Sequence, residues 1–202
     1  MRSFGIACAC LGLFALVSVA PAEDKKPAPP QGGPTPEMMA KMQAAMTPGE
    51  QHKKLAELVG TFDCTMTCWM PGAPEPMVSK GVNKNEMILD GRWLKGDFVG
   101  EMMGQKYTGI GLLGYDNAAK MYVGSYIDSM STMMSQHTGQ ADASGNIITL
   151  HAENIDCMTG QKAKMRMVFN LTNKDRYTFD FFMPGADGKE MKAMEIIYTR
   201  AK

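Results

Sequence analysis

The sequence predicts an all-β protein of about ten antiparallel strands, an up-and-down β-barrel with a short N-terminal helix. Three observations lead there. From Thr61 onward apolar and polar residues alternate with period two, the mark of a strand with one buried face. Turn residues recur at intervals of roughly ten residues. In the stretch Met87 to Asp128 they are Asp90-Gly91, Met103-Gly104-Gln105 and Tyr115-Asp116-Asn117. Finally, sequential strands joined by short turns bury their edges most simply by closing on themselves. The runner-up architecture is a β-sandwich.

The N-terminus comes first in the chain. Met1-Arg2 followed by the apolar run Phe4 to Val19 has the layout of a secretory signal peptide, and Ala20-Pro21-Ala22 places cleavage after Ala22. That run is too short for a comfortable membrane span. Residues 1–22 are therefore expected to be an export signal, and the mature protein to be secreted or periplasmic and not an integral membrane protein. Residues 23–46 form a Pro/Gly/Met-rich linker. Its first part, Glu23 to Pro36, is a tether, while Glu37 to Met46 has the pattern of a short helix whose Met38, Met39, Met42 and Met46 would dock on the barrel. Lys+Arg and Asp+Glu balance at 21 each, which leaves no footprint for nucleic acid.

The barrel domain spans residues 47–202. Thr47-Pro48-Gly49-Glu50 opens a helix, with Thr47 as cap, Pro48 at the first position and Glu50 completing a capping box. His52, Leu55, Ala56 and Val59 give it an apolar stripe, Gly60 ends it, and it would suit a lid over one barrel end. Strands follow near 61–70, 77–89, 92–100, 106–115, 121–128, 131–141, 147–154, 162–172, 176–183 and 190–200. Asp90-Gly91 between the second and third reads as a two-residue type I′ turn. Alternation puts Phe62, Cys64, Met66, Cys68 and Met70 on one face of the first strand. On the eighth it groups Ala163, Met165, Met167, Phe169 and Leu171, and on the ninth Tyr177, Phe179, Phe181 and Met183.

An apolar, aromatic, sulfur-rich interior suggests a non-enzymatic barrel that holds a small apolar or amphipathic molecule. Phe62, Met66, Met165, Met167, Phe169, Tyr177, Phe179 and Phe181 would line it. A second expectation is a structural protein that docks on an envelope partner. A third follows from the 21 methionines. The stripe Cys64, Met66, Cys68 offers soft donors that suit Cu(I), although methionine also fills irregular cores without any metal. Three cysteines survive cleavage. On one strand, Cys64 and Cys68 would lie roughly 13 Å apart, beyond the reach of a disulfide, while Cys157 could pair with either.

Catalytic motifs are few. Gly109-Ile110-Gly111-Leu112-Leu113-Gly114 spells a dinucleotide fingerprint, but that chemistry needs the run to leave a strand and open a helix, and here it sits inside a strand. There is no Gly-x-Ser-x-Gly elbow, HExxH or CxxC, and Asp128 at a strand end reads as a turn cap. His137 and His151 fall on strands.

Gly60-Thr61-Phe62 after a short helix resembles the Gly-x-Trp opening of calycin barrels, with Phe for Trp. In those barrels an Arg from the last strand crosses that ring, and Arg200 stands in the matching place. A closer resemblance, from about His52 to Arg200, is to the secreted bacterial family known as domain of unknown function 1579. It rests on Leu89-Asp90-Gly91-Arg92, Gly114-Tyr115-Asp116, Tyr122 with Tyr126, Asp128-Ser129-Met130, Thr159-Gly160, Asp187-Gly188-Lys189-Glu190 and Tyr198-Thr199-Arg200. Tyr126 replaces an expected Trp and Cys157 an expected Pro. The resemblance implies a lipocalin-like barrel and carries no catalytic residues with it.

Overall fold

The computed structural model describes residues 33–70, 72–156, 159–185 and 187–202. The expected export signal, most of the expected tether and Cys157 lie outside the described residues. The chain divides into two units, residues 1–35 and 36–202, and the second holds every element named below. Among the described residues these are helices α1 (Pro36–Met46) and α2 (Glu50–Ala56) and ten strands. The strands are β1 (Gly60–Cys68), β2 (Met77–Ile88), β3 (Trp93–Met102), β4 (Gln105–Asp116), β5 (Met121–Asp128), β6 (Ser135–Ala141), β7 (Ile147–Ile155), β8 (Lys162–Asn170), β9 (Arg176–Pro184) and β10 (Glu190–Arg200). Each pairs antiparallel with its sequence neighbour, and β10 pairs with β1 to close the barrel. This is the expected ten-stranded calycin-like architecture, and the sandwich is set aside. Among the described residues no helix is long and apolar enough to cross a membrane.

Alternation along each strand sorts side chains to the two sides of the wall. Phe62, Cys64 and Met66 of β1 are buried, with Asp63 exposed between them. In the same way Ile148, Leu150 and Ala152 of β7 point inward between Thr149, His151 and Glu153. The glycines of the false dinucleotide motif have a packing reason. Gly109 lies under the Tyr126 ring inside the barrel and Gly114 under Trp93 on the outside, where a Cβ would collide with either ring, while a Cβ at Gly111 would only touch Tyr126. A strand carrying those rings on its neighbours needs bare backbone there.

One barrel end is closed. Leu55 and Leu58 reach into it beside Phe62, and all three are almost fully buried. The Arg200 guanidinium sits 4.6 Å from the Phe62 ring centroid. The same group donates to the carbonyls of Glu57, Val59 and Lys174 and pairs with Asp175 at 2.6 Å. It thus holds the turn after α2 against the final strand, the contact the calycin resemblance implies. Phe62 packs edge-on to Tyr177 at 5.1 Å, and Tyr177 stacks on Tyr198 at 4.4 Å.

Several local expectations are corrected. The β2–β3 connection has four residues, not two, because Leu89, Asp90 and Gly91 all take positive φ and Ile88 pairs with Trp93. The cap of α2 is Gly49, whose N–H donates to His52 Nδ1 at 3.0 Å, while Thr47 turns back to donate to the Gln43 carbonyl at the end of α1. Because α2 stops at Ala56, Leu58 rather than Ala56 or Val59 faces the core, and both of those are exposed. The α1 methionines do not dock by a greasy face: Met38, Met39, Met42 and Met46 are all exposed. That helix is held by its C-terminal carbonyls instead, through Arg92 to Met46 and Asn117 to Ala44 and Thr47. Strand β6 begins at Ser135, because Asp128 and Ser131 accept from the N–H groups of Met130 and Met133 and keep the intervening chain turning.

Candidate functional site

Above the closed end the inward side chains leave a cavity of about 330 Å³. Its wall follows from strand alternation. From β8, β9 and β10 come Met165, Phe169, Phe179, Phe181, Met194 and Ile196, and from β3 and β4 come Leu94, Phe98 and Tyr107. Leu58 and Tyr177 form its floor toward α2, whereas Met102, Met133 and Met194 stand at the opposite end, where strand termini and the β5–β6 connection lie. Met133 there is exposed.

Of the eight residues expected to line the interior, six do: Met66, Met165, Phe169, Tyr177, Phe179 and Phe181. Phe62 and Met167 do not. Phe62 is consumed by the closed end, packed between Tyr177 and Arg200, and Met167 is buried between neighbouring strands.

Part of the lining is polar and lies off the apolar stripes that the sequence displays. Asn83 and Asn85 are buried on β2, where Asn83 donates to Asn85 Oδ1 at 2.7 Å. Asn85 in turn donates to the Leu58 carbonyl and to the Tyr177 hydroxyl, each at 3.0 Å. The signal was present: Lys80, Lys84 and Glu86 mark the outer face of β2, so the odd-numbered asparagines had to point inward. On the other wall the hydroxyls of Tyr107 and Tyr126 share a 2.9 Å hydrogen bond, and Asn154 donates to Ser135 Oγ at 2.9 Å. Burial pushes the phenols of Tyr107, Tyr126, Tyr177 and Tyr198 upward, so all stay neutral near neutral pH. His137 is buried and lines the same cavity, and desolvation lowers its imidazole to about 4.

The sulfur stripe is arranged differently from the sequence pattern. Cys64 is buried, donates weakly to the Phe62 carbonyl at 3.6 Å, and is pushed up to about 12 by burial, which makes it a poor thiolate. Met66 is buried on the cavity wall, and Cys68, half-buried, also has its thiol raised by desolvation. Cys64 and Cys68 are free thiols. Strand register sets Cys68 abreast of Met77 on one side and Met194 on the other, so sulfur neighbours lie across strands, not along one. Among the described residues no three His, Cys, Asp or Glu side chains gather as a metal set.

The solved structures with similar folds include the crystal structure of Rv2717c from M. tuberculosis, with a TM-score of 0.58 at 9% identity, covering 77% of this chain and all of that one. That likeness supports the barrel fold. The S-type phycobiliprotein lyase CPES from Guillardia theta aligns with a TM-score of 0.49 at 11% identity, over 77% of this chain and 99% of that chain. No curated protein matches the sequence significantly. A family model matches residues 47–200, from the start of the helical lid to the arginine that clamps it, and the chain belongs to that family, described as protein of unknown function (DUF1579).

Proposed function

We propose that this protein is an exported, non-enzymatic barrel that holds one small, mostly apolar molecule in its interior. The observation that carries the reading is the 330 Å³ cavity, walled by aromatic and thioether side chains and floored by Leu58 and Tyr177. Its size falls at the lower end of the roughly 300–1,000 Å³ typical of small-molecule sites, with apolar walls and a few placed polar groups as such sites have. Methionine suits the role because its unbranched, polarisable side chain adapts to varied shapes.

The neutral dye N-phenyl-1-naphthylamine tests it. The dye should brighten on binding the purified protein, and Met194→Trp, which adds bulk to the cavity wall, should abolish that response. Equal brightening in Met194→Trp would place the dye elsewhere and remove the reading. Export rests on the Met1–Ala22 pattern, and protein recovered from the cell envelope should begin at Glu23. An intact Met1 in that fraction would refute cleavage.

A second reading has one observation in its favour: Cys68 flanked by Met77 and Met194 could offer a thiolate and two thioethers to Cu(I). Copper(I) affinity should then collapse in Cys68→Ser and persist in Cys64→Ser. Equal affinity in wild type and Cys68→Ser would dismiss it.

A further inference from the structure

The backbone ladder around the barrel has a gap. Strands β6 and β7 pair only from Thr138 with His151 to Ala141 with Ile148, although β6 begins at Ser135 and β7 runs on to Ile155. Beyond Thr138 the two strands keep their outer partners, Ser135 and Gln136 on β5 and Ala152 to Ile155 on β8, while their mutual ladder stops. The Asn154–Ser135 hydrogen bond crosses the opening. His137 stands beside it and borders both the inner cavity and a cleft on the outer wall. Its ring lies over Gly124 of β5, where a Cβ would strike Nε2.

His137 is 8% exposed, and its buried Nδ1 has no hydrogen-bond partner among the described residues. An orphaned buried nitrogen costs roughly 1–3 kcal/mol, so such groups call for a partner. The surroundings say what kind. The amide hydrogens of Asn154 go to Ser135 Oγ and Met165 Sδ, which leaves its carbonyl oxygen to accept, and Ser135 keeps a hydroxyl hydrogen to donate. The Tyr107–Tyr126 pair adds a hydroxyl nearby in register, since Tyr126 is the cross-strand partner of Ser135. Among the described residues no Asp, Glu, Lys or Arg lines the cavity. A carboxylate or ammonium inside would lose its hydration with no opposite charge to replace it.

We propose that the interior selects an uncharged amphipathic molecule and holds its hydroxyl or carbonyl group on His137, beside the β6–β7 gap. This rests on the interior-binding reading above and adds the class of head group. Desolvation keeps the imidazole neutral, with one N–H and one lone pair, so it serves either as donor or as acceptor. An apolar body then lies against Met165, Phe179 and Phe181.

Three naphthalene probes of one shape separate the possibilities: naphthalene, neutral 2-naphthol and anionic 2-naphthoate, each titrated into the full mature chain by calorimetry at neutral pH. 2-Naphthol is expected to bind about tenfold tighter than naphthalene, the worth of one good buried hydrogen bond, and 2-naphthoate at least about tenfold weaker than 2-naphthol. In His137→Phe the naphthol-to-naphthalene ratio should fall to near one. The wild type supplies a readout independent of that variant's folding: with three histidines in the chain, the ¹⁵N signals of the His137 ring should move with 2-naphthol and stay with naphthalene. Naphthoate binding as tightly as naphthol, or a naphthol advantage with no His137 shift, overturns the proposal. If naphthalene binds and naphthol gains nothing, the head-group inference falls while interior binding stands. If none of the three binds, both fall.

Discussion

The two ends of this barrel are built from different materials. At the closed end Phe62, Leu55, Leu58 and two stacked tyrosines fill the space, and one arginine ties the helix turn to the last strand. At the other end Met102, Met133 and Met194 stand at the rim, Met133 and Met134 are exposed, and the β6–β7 ladder stops short. Rigid rings and a fixed cationic fork give the first end one packing arrangement. Thioethers and unpaired strand ends give the second end latitude to admit something. The closed end is packed solid, and the cavity runs from its floor at Leu58 and Tyr177 toward the end where the β6–β7 ladder stops short.

That contrast can be broken most sharply by truncating Phe62. Phe62→Ala should cost about 3–5 kcal/mol in urea denaturation, the range for a fully buried ring. A loss below about 1 kcal/mol would mean that the closed end does not anchor the fold.

Next in size is an acid effect from the cavity. His137 folds with its imidazole lowered from 6.5 to about 4, so between those values the unfolded chain binds a proton that the folded one refuses. Stability should therefore fall as pH drops through that window, by up to about 3 kcal/mol from this group. His52, lowered by burial too, acts in the same direction. His137→Phe should flatten the slope; an unchanged slope would assign it to other groups.

Arg200→Lys keeps a cation but loses the fork that reaches the Glu57, Val59 and Lys174 carbonyls. A cost of about 1–2 kcal/mol is expected, chiefly from those carbonyls, since the Asp175 pair is partly exposed and screened. Least of all, Met133→Ala at the open end should change stability by less than about 0.5 kcal/mol. A loss as large as that of Phe62→Ala would erase the distinction between the two ends.

Much of this was legible in the sequence because the outer faces are charged. Lys80, Lys84 and Glu86 on β2 and Lys162, Lys164 and Arg166 on β8 mark the outer faces and so fix which residues face inward, and most of the ten strands follow almost to their ends. Gly60, Phe62 and Arg200 announced the closed end. What stayed hidden has physical causes. A leucine at positive φ is not foreseeable from propensity, so Asp90-Gly91 alone predicts two loop residues where Leu89–Arg92 form four. The length of α2 depends on tertiary capping by Arg200, which local sequence does not reveal. The buried asparagines and the inward side of His137 do not show in an apolar stripe, although their parity on the strands places them inside.

The most direct test of the account uses the methionines themselves. With ¹³C-methyl methionine in the protein, naphthalene should shift the methyl signals of Met66, Met165 and Met194 on the cavity wall and leave Met38, Met39 and Met42 of α1 unmoved. Shifts confined to the α1 methionines, or none at the solubility limit of the probe, would contradict an accessible interior site.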